Sequence, residues 1–219
     1  MNLEKHQPLP DEIKKAEDFL TDEQKEMSEE REKSFLIPDS INFDNNRNTL
    51  LIGINRDMID FGILSELANE NGLEVKDKFH ITVLGFKNGS EIKKVLKALP
   101  EEEKQSILLQ IKSLASSTDW SFVLEPKRYH ISKEYTTPDP RDKSVELKER
   151  RESYIQMVHL PGMRIFYEKL NTILGTNLEA PPAHITLYTG GNDREKSKMG
   201  IGINSQEEFL KLNPELIQL

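Results

Sequence analysis

"KFHITVLGF" spans residues 78–86 and "PAHITLYTG" spans residues 182–190. In each, a histidine and a threonine sit two apart in a short apolar run, and the tripeptide His-Ile-Thr is repeated before a branched apolar residue. Side chains of a strand alternate between its two faces. His80 and Thr82 are therefore expected to share one face, as are His184, Thr186 and Tyr188. Ile81 and Val83, like Ile185 and Leu187, point the other way and suit a core beneath helices.

The surroundings of the two stretches repeat as well. "NTLLIGI" (48–54) reads as a strand and "MIDFGILSELANENG" (58–72) as a helix, and together they lead into the first histidine strand. "SYIQMVHL" (153–160) reads as a strand, and "PGMRIFYEKLNTILG" (161–175) as a helix with proline at its start and glycine at its end. These lead into the second. Ile52 precedes His80 by 28 residues and Ile155 precedes His184 by 29. A repeated strand-helix-strand unit places both histidines at equivalent points of two similar lobes. Five histidines and ten threonines in 219 residues give roughly 0.2 His-x-Thr matches by composition. Two matches in equivalent units therefore outweigh the alternative of ordinary strands with threonine for β-propensity.

Between the units, residues 90–99 and 101–117 read as helices, the first with Ser90 as N-cap. "WSFVLE" and "RYHISKEY" read as a strand pair around Pro126, and "TTPDPRDKS" as a loop. "IPDSINFDNNRN" (37–48) reads as a loop and "MGIGINS" (199–205) as a strand before a final helix. Residues 1–40 hold 6 Lys+Arg and 12 Asp+Glu, and their apolar stripe is thin. They are expected to form an acidic helical or disordered extension, with the folded domain at 41–219.

Composition limits the chemistry. There is no cysteine, which excludes disulfides, thiolate zinc sites and a cysteine nucleophile. Motifs of helical zinc proteases, P-loops, dinucleotide folds and nucleophile elbows are missing. No apolar run reaches the length of a membrane span, and the N-terminus has no apolar signal region. A cytoplasmic protein is expected. The net charge is −8, of which the first 40 residues carry −6 and the remainder −2. This disfavours a grip on long nucleic acid but leaves room for a local pocket for a small phosphorylated ligand.

Two imidazoles facing one cleft, each with a hydroxyl beside it, suit phosphodiester chemistry. One histidine accepts a proton from the attacking hydroxyl or water, the other protonates the leaving oxygen, and the threonines hold the non-bridging oxygens. Histidine reaches both protonation states near neutrality. His130, in "YHISKEY", is a partial third copy and reads as a neighbouring strand residue. His159 reads as structural and His6 as solvated. Lys127, Arg128, Arg150 and Arg151 read mostly as solvated charge near the cleft mouth.

"HITV" at 80–83 and "HITL" at 184–187, with their strand-helix-strand lead-ins, resemble the paired motifs of the two-histidine (His-x-Thr-x) phosphoesterase superfamily. That superfamily includes the bacterial RNA ligase/cyclic phosphodiesterase (LigT-like) group, and the resemblance covers roughly residues 45–205. It implies a bilobal α+β fold, with two antiparallel sheets and flanking helices related by pseudo-twofold symmetry around a central cleft. It further implies that His80 and His184 are the acid–base pair, that Thr82 and Thr186 bind phosphate, and that no metal or other cofactor is used. The expected substrate is a cyclic phosphate or 2′-linked phosphodiester of an RNA end or small nucleotide. Tyr188 is placed as a side chain able to stack on a base. A monomer without membrane contact is expected. The alternative is a non-catalytic nucleotide or RNA-end binding module on the same fold.

Overall fold

The computed structural model describes residues 35–139, 142, 144–193 and 198–218. The chain divides into two compact units, Met1–Phe35 and Leu36–Leu219. The helix expected within the acidic extension lies outside the described residues. Leu36 already belongs to the second unit, where it exchanges main-chain hydrogen bonds with Phe122 (2.7 and 3.0 Å).

The second unit is α+β. Its eight strands are β1 (Ser40–Asp44), β2 (Thr49–Ile54), β3 (Glu74–Val75), β4 (Phe79–Leu84), β5 (Val123–Pro138), β6 (Glu146–His159), β7 (His184–Gly191) and β8 (Glu215–Leu216). The helices are α1 (Leu64–Glu70), α2 (Phe86–Lys97), α3 (Glu101–Ser117), α4 (Pro161–Leu174) and α5 (Gln206–Lys211). Every strand pairing is antiparallel, in the order β1-β2-β4-β7-β6-β5-β8, with β3 on β7. Where two sheets were expected, the described strands make one connected sheet. The link is a single pair, Ile81 opposite Ile185, joining β4 to β7.

Binary patterning explains the layering. In β2, Leu50, Ile52 and Ile54 are buried while Leu51 and Gly53 are half-buried. Phe79, Ile81 and Val83 alternate in the same way with His80 and Thr82. The buried set packs with Leu64, Ile92, Ile111, Phe166 and Leu170 of α1–α4 in the main core. A smaller apolar cluster, Ile131, Ile155, Ile201, Ile203 and Phe209, lies on the opposite face of the sheet. No helix among the described residues is long and apolar enough to cross a membrane.

Several local expectations change. Residues 40–44 form β1 rather than loop, because Asp44 Oδ1 accepts from the amides of Asn46 (2.8 Å) and Arg47 (3.2 Å) and so closes a turn back from β2. The expected helix at 58–72 shrinks to a 3-10 turn, Arg56–Met58, and α1, since Gly62 adopts φ +31° between them and interrupts helical backbone. Helix α2 begins at Phe86, capped by extended Gly85, so Ser90 lies inside it and is not the cap. The strand pair expected around Pro126 is one strand, β5, with an irregular register between Leu124 and Arg128. Its partner β6 starts seven residues before Ser153, in the charged run "ELKERRE". Low β-propensity there is overridden by the continuous ladder from Ser132–Glu152 to Pro138–Glu146. Helices α3 and α4 fall where periodicity puts them, α4 with Pro161 in its first turn and Gly175 (φ +63°) at its end.

Candidate active site

In an antiparallel ladder, directly opposed residues share a face. With Ile81 opposite Ile185, the same register brings His80 across from Thr186 and Thr82 across from His184. All four side chains then leave the sheet on the face away from α1–α4, the face that carries the smaller apolar cluster and α5. On the outer sides, Gly53 and Leu51 of β2 pair with His80 and Thr82, while Ile155 and Met157 of β6 pair with Thr186 and His184. By that register each histidine is directed toward a threonine of the other strand, with Ile81–Ile185 the one pair β4 and β7 form among the described residues. All four residues are half-buried.

The two imidazoles are held differently. His184 Nδ1 lies 2.8 Å from the Pro182 carbonyl oxygen. A carbonyl only accepts, so Nδ1 carries the hydrogen and Nε2 is left free. Burial draws His184 below the ordinary histidine pKa. The Pro182 carbonyl works against that shift, and the nearby His80 charge adds to it. His80 is also drawn down, first by burial and then by the Lys76 ammonium. Among the described residues the His80 ring and the Thr82 and Thr186 hydroxyls have no hydrogen-bond partner, so they are available to a ligand.

Lys76 has no motif to mark it. It follows the two-residue strand β3, and its amide donates to the Leu187 carbonyl (2.9 Å), setting it beside β7 next to Thr186. Its Nζ donates to the Lys198 carbonyl (2.5 Å), and burial lowers its pKa. The segment that begins at Lys198 flanks the whole site. Gly200, at φ +74°, lies against Thr186, whose methyl would be 3.7 Å from a Cβ at this position. Four residues on, Asn204 Oδ1 and the Thr82 methyl lie 3.8 and 3.4 Å from the Cβ position of Gly85. Residues 200–204 are not the strand expected there. The Gly200 backbone is left-handed, and the Lys198 and Gly200 carbonyls go to the side chains of Lys76 and Arg151 (3.3 Å) instead of a ladder. Glu208 fixes the far end. It accepts from the Asn204 amide (3.1 Å), Asn204 Nδ2 (2.8 Å) and Lys87 Nζ (2.8 Å), which hold its carboxyl at a pKa of about 2. With Nδ2 committed to a carboxylate, Asn204 Oδ1 is left as an acceptor at the Thr82 end.

An open pocket of about 520 Å³ lies where β2 ends and β4 begins, lined by Asp39, Gly53, Arg56, Asp77, Lys78 and Phe79 among others.

Other sequence candidates lie elsewhere. Tyr188 is 4% exposed and does not share the face of His184. The pairing passes from Tyr154–Tyr188 to Ile155–Thr186, leaving Leu187 as an extra residue in β7. This bulge shifts the alternation and packs both Leu187 and Tyr188 into the main core, where Tyr188 meets Phe61 and Tyr154 edge-on at 6.1 and 6.2 Å. His130 lies opposite Tyr154, on the same helix-covered side, with Nε2 3.0 Å from Glu152. His159 closes β6 opposite Val123. Arg151 forms a largely buried ion pair with Glu149 and stacks on Tyr135 at 4.5 Å, while Arg150 reaches Glu152 at 3.1 Å. Arg128 is not surface charge but is 7% exposed.

Among the described residues, no three His, Asp or Glu side chains are grouped as ligands of one metal ion. Compared with protein-family models, with curated proteins and with solved structures, the chain matches none.

Proposed function

We propose that the chain is a metal-independent phosphodiesterase acting on cyclic phosphate or 2′-linked phosphodiester bonds of RNA ends or small nucleotides. The observation that carries this reading is the register at Ile81 and Ile185, with two histidines and two threonines alternating around one point of the sheet. In this reading β2-β4 and β6-β7 are the inner strands of two lobes related by a pseudo-twofold through that pair.

The phosphate sits between the two imidazoles. His184 is the base. Its Nδ1–H is committed to Pro182, so Nε2 takes the proton of the attacking water as the new P–O bond forms. His80, as imidazolium, gives its proton to the departing ester oxygen as the old P–O bond breaks. Thr82 and Thr186 hydroxyls, with the Lys76 ammonium, hold the non-bridging oxygens as charge gathers on them. Solvent then restores both histidines. The anionic phosphate favours the charged form of each imidazole, which offsets the depression caused by burial and Lys76.

The test is hydrolysis in EDTA of a panel of 2′,3′-cyclic nucleotides, cyclic-phosphate RNA ends and 2′-5′ dinucleotides. The His80→Ala/His184→Ala double variant is the blank. Turnover by wild type alone is expected, and equal rates in the two would remove the proposal. The second reading, a binding module without turnover, rests on the depression of both imidazoles, which leaves little imidazolium at neutral pH. Binding without turnover across the panel would favour it.

A further inference from the structure

Arg128 is a buried cation without a counter-ion among the described residues. It lies in β5 opposite Gln156 of β6, which in turn pairs with Ile185, so its side chain enters the helix-covered side of the sheet. Only 7% of the residue is exposed. Its Nη2 donates to the Asp60 main-chain carbonyl (2.6 Å), and its Nε has no partner. No carboxylate lies within ion-pair distance of it among the described residues. A buried charge costs several kcal/mol unless an opposite charge and hydrogen bonds compensate it.

A second cation lies in the same region. The Arg56 guanidinium sits over the Phe61 ring at 4.9 Å, and Phe61 meets Tyr188 edge-on at 6.1 Å. Burial raises the pKa of the Tyr188 hydroxyl and the Arg56 and Arg128 charges oppose that shift, and the hydroxyl makes no hydrogen bond among the described residues. Arg56 also lines the open pocket of about 520 Å³ at the end of β2, so solvent reaches this cation. Gln156 Oε1, across from Arg128, is buried and unpartnered too. A water between Gln156 Oε1 and Arg128 Nε satisfies two hydrogen bonds but leaves the charge uncompensated. An oxyanion accepts from Arg128 Nε and compensates its charge, because a guanidinium fork matches two oxygens of a phosphate or carboxylate, while Gln156 Oε1 still needs a donor such as water.

We propose that Arg128, Arg56 and the Tyr188 hydroxyl form an oxyanion site on the α1–α4 face of the sheet, opposite the histidine face and taking a phosphate or carboxylate group. It does not depend on the phosphodiesterase reading.

The test is thermal unfolding of the full chain in the His80→Ala/His184→Ala background, titrated with inorganic phosphate, acetate or chloride at matched ionic strength. A saturable rise in Tm with phosphate or acetate, absent with chloride, is expected. Arg56→Gln, a change at an exposed residue, is expected to weaken the apparent affinity about tenfold, and Arg128→Met to abolish the response. If Arg128→Met does not fold, Arg56→Gln still decides. A larger phosphate response lost in these variants assigns a phosphate group, and a larger acetate response lost in them assigns a carboxylate. No rise in the parent, or the same rise in the parent and both variants, overturns the site.

Discussion

Ile81 and Ile185 are opposed across the β4–β7 ladder, both fully buried, and this one pair joins the two halves of the sheet. Because it is the centre of the local register, His80 points toward Thr186 and Thr82 toward His184 on the other face. Truncating either isoleucine removes packing from the core and loosens that register. Ile185→Ala is expected to cost about 3 kcal/mol of stability, measured by urea unfolding. The milder change Ile185→Val should cost about 1 kcal/mol and leave the site assembled.

The histidines are expected to matter for chemistry and little for folding. His80→Ala and His184→Ala should each lower kcat on a 2′,3′-cyclic nucleotide about 10²–10⁴-fold, with unfolding midpoints close to wild type. Steady-state kinetics beside thermal melts separates the two effects.

Thr82→Val and Thr186→Val keep the branched shape that a strand favours and delete only the hydroxyl. Each is expected to lower kcat/KM about 10–100-fold without loss of stability. An unchanged kcat/KM in both would remove the threonines from phosphate binding.

Both imidazoles are depressed in the folded chain. The unfolded chain therefore binds protons first as pH falls below about 6.5. The stability this contributes is fully present above that pH and is lost as pH falls toward the folded values. Tm should decline between pH 7 and 5, and less so in the double histidine variant. Lys76→Met removes a cation beside His80, so the His80 pKa should rise. If His80 is the acid, the alkaline limb of the kcat/KM profile moves up with it, and a shift of the acidic limb instead would reverse the two histidine roles.

Glu208 shows the opposite sign. With its pKa at about 2, its contribution is present above about 4.5 and is lost as pH falls toward 2. A third of its side chain is exposed, so Glu208→Gln should cost less than about 1 kcal/mol at neutral pH. The larger expected effect is on KM, because Asn204 loses the carboxylate that orients it at the Thr82 end of the site. Parallel measurements of KM and Tm check this.

Much of the site was legible before folding because strand alternation is a local property. His80 with Thr82, and His184 with Thr186, share faces whatever the strands pair with. Tyr188 was not legible, because the bulge at Leu187 arises only where β7 must match β6, and one extra residue turns the tyrosine into the core. Lys76 carries no pattern of its own and gains its place from the pairing of β3 with β7. Arg128 reads as surface charge in "PKRYH", yet the closure of Asp60 over it makes it a buried cation.

By itself, then, the sequence determined which residues alternate toward a polar face, where α3 and α4 begin and end, and that the His-Ile-Thr pattern recurs in two strands. Propensity, capping and periodicity act within a few residues, and they suffice for that. Only the tertiary structure decided that β4 and β7 lie side by side, that residues 200–204 run along the motif face, and that β5 and β6 form one long ladder. Those outcomes depend on which distant apolar faces bury one another. The reason lies in the energetics of register: no local preference distinguishes Ile185 from any other apolar partner for Ile81 until the helices close over both.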